Sequence, residues 1–169
     1  MEFNELKQIL AGEAKAKGIC KEWYEKILSA PSKEYLLTLA VKGSDFWLGN
    51  AFASPEVRAE FAGLRQHFGI YLDDDRIAAK SPRSLIALDR AHGSAKYYNF
   101  DVGQITAKDD TRINITADAN AFVCVDVRDR AEVEITASGD ARVSVILHGG
   151  ECKHRATDRA TIKITDKCD

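Results

Sequence analysis

Residues 121 to 149 read AFVCVDVRDRAEVEITASGDARVSVILHG, and nearly every odd position is apolar or small. Alternation with period two marks a strand with one buried face. Single strands, however, usually stop after about five or six residues. Here the alternation continues through Asp-, Gly- and Ala-rich stretches that read as turns. Laid against itself, the segment gives a ten-residue unit, A-x-V-x-V-x-A-x-[D/G]-x. Thr111, Ala121, Ala131 and Ala141 are equivalent, and so are Ile113, Val123, Val133 and Val143. Hairpin turns reset the inward parity, whereas a chain winding round one core keeps it through every corner. The pattern therefore predicts a β-solenoid over residues 101–169, two units making a coil of about twenty residues. Ala119, Asp129, Gly139 and Gly149 fall at the corners, while Glu132, Glu134, Arg142 and Ser144 point outward. An antiparallel β-meander of short strands is the competing arrangement.

The parity slips once. After Gly149 the inward set moves to Cys152, Ala156, Ala160, Ile162 and Ile164, so one residue has been dropped near HGGECKH. A tightened corner or bulge is expected there. Upstream, residues 70–100 read as a transition of short strands: IYL, a DDD turn, RIAA, and SLIAL beyond the Pro82 break.

Residues 1–69 carry helical spacing instead and predict a helical module that caps the repeat. Phe3, Leu6, Ile9 and Leu10 share one helix face, with Gly18 placed to end it. CKEWYEKILSA stops before Pro31. Ser32 is suited to cap a third helix bearing Tyr35, Leu36, Leu39 and Ala40, closed by Gly43. DFWLGNAF reads as a short fourth helix. ASPEVRAEFAGLRQHFG predicts a fifth, from an N-cap at Ser54 to Gly69, with Val57, Phe61, Leu64 and Phe68 on one face. The fold class is α+β.

Length and composition narrow the function classes. A chain of 169 residues buries roughly 70% of its unfolded surface and needs no disulfide or metal to fold. With 24 basic and 26 acidic residues, the net charge of -2 gives no basic surface for nucleic acid. MEFNELKQIL lacks the basic and then apolar order of a signal peptide, and no apolar run reaches membrane-span length. Cys20, Cys124, Cys152 and Cys168 form no CxxC pair and are expected as reduced thiols in a cytoplasmic protein.

Candidate chemistry is sparse. His148, Cys152 and His154 offer imidazole and thiolate ligands for a metal, with Cys168 or Cys124 to complete a tetrahedral site. Their spacing matches no common zinc pattern. Asp73, Asp74 and Asp75 carry the oxygen ligands that hard cations prefer, although acidic turns between strands are common. Cys20 beside Lys21 has the cationic neighbour that activates a thiol, with His67 as the helical module's only histidine. Trp23, Tyr24, Phe46, Trp47, Phe52 and Phe61 are expected to form the module's core or to line a groove. Thr116, Thr136 and Thr165 do not continue as ranks, because Asp126, Ile146 and Ala156 interrupt them. No P-loop, GxGxxG after a strand, or GxSxG is present. No cofactor is expected.

GICKEWYEKI, then KEYLLTLAVKGSDFWLGNAFASPE, then FGIYLDD leading into Val/Ala repeats resembles uncharacterised proteins of gut Bacteroidales and their phages or mobile elements. Those proteins have a small helical head and an irregular β-repeat tail. The resemblance implies the two-part architecture and transfers no catalytic residue. The resulting expectation is a non-enzymatic interaction or scaffold module displaying Glu132, Glu134, Arg142 and Lys163 to a protein partner. Neither nucleic acid nor membrane is an expected partner, and a homo-oligomer is left open. The charges of Lys163, Asp166, Lys167 and Asp169 are expected to discourage end-to-end stacking. The alternatives are a metal protein or enzyme using the His148, Cys152 and His154 cluster, and a structural piece of a phage or element-borne assembly.

Overall fold

A computed structural model describes residues 1–50 and 53–168, which divide into two compact units, one ending at Phe68 and one beginning at Gly69. The first contains α1 (Phe3–Ala16), α2 (Lys21–Leu28), α3 (Lys33–Lys42), α4 (Ser44–Gly49) and α5 (Pro55–Ala59), then a 3₁₀ turn at Arg65–Phe68. The boundary signals act as expected in three places. Gly18 takes a left-handed φ of 88° just beyond α1. The Ser32 hydroxyl accepts from the Tyr35 amide, and Ser54 accepts from the Val57 amide with Pro55 following it. Leu6, Leu10, Leu36, Leu39, Trp47 and Phe61 are buried as the spacing expects, Ile27 and Leu37 join them, and Tyr35, expected beside Leu36, is 41% exposed. Phe52 lies outside the described residues.

One helical expectation gives way. The helix expected over 54–69 stops at Ala59, because Gly63 adopts φ 80° and the chain re-enters as a 3₁₀ turn. That turn buries Arg65, whose guanidinium donates to the Arg58 carbonyl at 3.3 Å. Gly43 closes α3 as its C-cap, its amide donating to the Leu39 carbonyl, but not in the left-handed region. Its φ is -102°, and it is crowded instead, with the Trp23 ring 3.1 Å from where a Cβ would stand.

The second unit is a parallel β-solenoid. Its strands are β1 (Ile70–Tyr71), β2 (Arg76–Lys80), β3 (Ser84–Ala87), β4 (His92–Tyr97), β5 (Val102–Ala107), β6 (Arg112–Ala117), β7 (Phe122–Val127), β8 (Glu132–Ala137), β9 (Arg142–Leu147), β10 (Glu151–Ala156) and β11 (Thr161–Asp166). Odd strands form one sheet in the order β1-β3-β5-β7-β9-β11, called the odd sheet here. Even strands form the other in the order β10-β8-β6-β4-β2, the even sheet. Every pairing is parallel, so the meander is excluded. Residues 70–100, expected as a transition, already form coils: β1 pairs with β3, and β2 with β4. The Pro82 corner shortens the first coil: Lys80 lies beside Lys96 but Ser84 beside Gln104, so Arg76 lies beside His92, sixteen residues on, which conceals the ten-residue unit.

Register explains why the unit repeats. Val123, Val125 and Val127 lie beside Val143, Val145 and Leu147, and Ile113 and Ile115 beside Val133 and Ile135. All except Leu147 are essentially inaccessible to solvent. At the corners a non-glycine residue with positive φ recurs: Asp89, Asn99, Asp109, Ala119 and Asp129 all lie between 54° and 59°. Asp and Asn tolerate this region better than other side chains. The aspartates also bond between coils. The amides of Asp73, Asp89 and Asp109 donate to the carboxylates of Asp89, Asp109 and Asp129 at 2.9, 3.0 and 3.4 Å. Tyr71, Tyr97 and Thr111 break the aliphatic rule of the core. Tyr97 is wholly buried and its ring fills the space left by Gly103, where a Cβ would stand 2.3 Å from the ring. Burial drives the Tyr97 hydroxyl well above its ordinary pKa.

The dropped residue sits where the parity slip placed it. Glu151 lies beside Glu132, nineteen residues on rather than twenty, and the corner between β9 and β10 is closed by Gly149 and Gly150. Gly150 has φ 71°, and a Cβ there would stand 2.2 Å from the Ala131 carbonyl oxygen. Gly150→Ala is therefore expected to destabilise the protein by about 2–4 kcal/mol in urea unfolding. Gly12→Ala, in a helix with nothing within 4 Å, should be neutral or stabilising by up to about 1 kcal/mol.

Outside the corners runs a column whose charges alternate. Arg90 grips Asp74 through two bonds of 2.7 and 2.8 Å, and Arg130 grips Asp110 through two of 2.7 and 3.0 Å. Lys108 bridges Asp109 and Asp129 at 3.1 and 2.9 Å. Hydrogen bonding to these cations lowers the pKa of Asp74, Asp110 and Asp129. A carboxylate with a lower pKa folded than unfolded adds stability above its unfolded pKa, and that stability drains away as pH falls through the folded value. The urea midpoint is expected to hold from neutral pH to about pH 5 and to fall below about pH 4. Asp129→Asn, which keeps a residue tolerant of positive φ, should fall less steeply over that acid range.

Candidate functional site

The solenoid presents two outer faces with its thin core between them, and the sequence-predicted surface residues divide between them. Glu132 and Glu134 lie on β8 and point out from the even sheet. Arg142 and Lys163 lie on β9 and β11 and point out from the odd sheet. The four do not make one surface. Parity on a strand reveals that a residue faces outward, but not which of two sheets it faces out from.

The odd-sheet face carries a cluster that sequence reasoning passed over. Val102 and Phe122 are partners on neighbouring strands, and Phe100 and Tyr98 sit in the corner that leads into β5. Phe100 is 80% exposed, Val102 63%, Phe122 42% and Tyr98 38%. Arg142 is the next residue in the Val102–Phe122 row, and no anionic partner holds it among the described residues. Side chains of this kind, contiguous and left in water, are what an interface core is built from. A signal was available: Phe100, Val102 and Phe122 are large apolar residues at even positions in a repeat whose core is odd.

The even-sheet face is a groove of about 890 Å³ crossing all five of its strands, with Arg76, Arg112, Glu132, Glu134 and Glu151 among its walls. It includes Glu132 and Glu134, and its large apolar lining residues, Ile77, Ile113 and Val133, are buried in the core. Thr116 and Thr136 adjoin on this face, whereas Thr165 lies across the core on β11 beside Ile146, so the threonines form no common rank.

The metal reading is not carried. Among the described residues no group of three or more His, Cys, Asp or Glu side chains is placed to hold a metal ion. The dropped residue separates the expected ligands. His148, at the end of β9, has Nε2 3.0 Å from the Asp126 carboxylate. Cys152 and His154 occupy the inward rows of β10, beside Val133 and Ile135. Cys124 points out from β7, on the odd sheet. The carboxylates of the DDD turn diverge as well: Asp75 accepts from the Leu72 amide at 2.9 Å, while Asp74 is held by Arg90. Burial raises the Cys152 thiol, which makes it a poor nucleophile at neutral pH. With a maleimide reagent at pH 7.5, Cys152 is expected to label several-fold more slowly than exposed Cys20, read by mass spectrometry of digested samples.

These faces define a two-sheet parallel β-solenoid with an exposed aromatic cluster on one sheet and a charged groove on the other. Comparison with protein families, with curated proteins and with solved structures finds no match to the chain. No helix among the described residues is long and apolar enough to cross a membrane.

Proposed function

We propose that the chain is a non-enzymatic protein-interaction module of the cytoplasm, and that it docks a partner on its odd-sheet face. The observation that carries this reading is the neighbouring pair Val102 and Phe122, with Phe100 in the corner that leads into β5, left in water on the odd sheet. Each aromatic ring has roughly 150–250 Å² to bury, so covering two or three of them supplies the apolar centre of an interface. Arg142 at its edge favours a partner that brings a carboxylate, because arginine pairs carboxylates with two bonds. In-register stacking makes the face rigid, so little conformational freedom is lost on docking. The four cysteines are free thiols, the state that a reducing compartment maintains.

The test is co-purification from nuclease-treated lysate of the source organism, comparing the native chain with Phe100→Ser/Phe122→Ser. Both side chains are exposed, so the variant should keep its circular dichroism spectrum and unfolding midpoint. A stoichiometric protein partner of the native chain is expected to fall at least tenfold with the double variant and to persist with Glu134→Ser on the even sheet. Equal recovery with native and double-variant protein would discard the odd-sheet face as the docking surface.

A further inference from the structure

Charges on this solenoid are arranged in two opposite ways. In the corner column they alternate, Asp74 then Arg90 then Asp110 then Arg130, and each cation grips the carboxylate of the preceding coil. In one row of the even-sheet groove they are sorted by sign, although Asp110, held by Arg130, also lines the basic end. Arg76, His92 and Arg112 follow one another across β2, β4 and β6, and Glu132 and Glu151 continue the same row across β8 and β10. Like charges directly opposite on neighbouring strands are destabilising, and in this row Glu132 is set beside Glu151. One contact relieves the junction, Arg112 to Glu132 at 3.4 Å. Arg76 and Glu151, at the two ends, have no ion-pair partner among the described residues. In the second row Glu134 has Lys153 as its neighbour, which leaves Glu132 and Glu151 as the acidic end. Coil stacking does not require this sorting, because the corner column of the same coils does without it.

We infer that the even-sheet groove is a second, electrostatic docking site for an extended protein segment of split charge. Its acidic residues would lie over Arg76 and Arg112, and its basic residues over Glu132 and Glu151. Five strands about 4.8 Å apart span about 19 Å, the length of roughly six extended residues. A volume of about 890 Å³ lies in the roughly 300–1,000 Å³ range of ligand clefts. A second copy of the chain, turned end for end, would also bring opposite charges together. The area argues against it: this outer face offers about 500 Å² per copy, about 1,000 Å² in all. Stable interfaces begin at roughly 1,200 Å². The site is independent of the aromatic face on the other sheet, and either can fail alone.

The probes are two dye-labelled hexapeptides of one composition, Glu-Glu-Gly-Gly-Lys-Lys with split charge and Glu-Lys-Gly-Gly-Glu-Lys with mixed charge. Binding to the full chain is read by fluorescence anisotropy at about 20 mM ionic strength, where screening is weak. The split peptide is expected to bind at least fivefold tighter than the mixed one. Arg76→Glu and Glu151→Lys should each erase most of that preference, and Lys163→Glu on the other sheet should leave it intact. The unfolding midpoints of the two groove variants should match the native chain. Equal binding of the two peptides, or a preference that survives both groove substitutions, would overturn the proposal. So would a dimer in sedimentation velocity that Arg76→Glu dissolves and that the split peptide cannot displace, since the groove's occupant would then be a second copy.

Discussion

The solenoid depends on one backbone state held at its corners. A coil closes only if the chain turns sharply at each end of a strand, and here that turn needs one residue with φ near 55°. Asp, Asn or Gly occupies that place in most coils, with Ala119 standing in it once. The left-handed residue leaves its amide pointing along the solenoid axis, away from its own strand. The aspartate of the next coil accepts it on one side of the molecule, and Asp158 accepts the Gly139 amide on the other. Turn and stacking are therefore the same interaction. The valine and isoleucine rows then fall into register because the corners leave them no other offset.

The slip at Gly149 and Gly150 shows how little freedom that arrangement leaves. One residue fewer in a corner flips the parity of every residue downstream, yet Cys152, Ile162 and Ile164 still face the core. The chain absorbs the loss with two glycines whose missing side chains admit the backbone of the preceding coil. The histidine, cysteine and histidine that looked like a ligand set in the sequence are collected there by this local repair. They end on different rows, two of them stacked on aliphatic neighbours.

The surface has more freedom, and so it records function better than the core does. Outward positions may take any side chain that tolerates a strand. In the corner column they took charges that cancel from one coil to the next. On the even sheet they took charges that reinforce, and on the odd sheet aromatic rings that water does not favour. Neither choice helps the coils to stack. The partner proposed for each face supplies a reason for both.

Much of the architecture was legible in the sequence by itself. Period two carried through the turns, small or acidic residues every tenth position and the single parity slip together define a solenoid, because inward parity and corner conformation are local properties. The helix caps at Ser32 and Ser54 are local in the same sense. Only the tertiary structure decided the rest. The ten-residue unit already implies opposite sheets for Glu132 and Arg142, but only strand pairing shows that Lys163 keeps to the sheet of Arg142 beyond the dropped residue. Whether coils begin at residue 70 depends on pairing between segments sixteen residues apart that share no visible repeat. Arg76 joins Glu151 in one row, and Val102 joins Phe122 and Arg142 in another, only because stacking coils sets residues far apart in the chain about 4.8 Å apart in space.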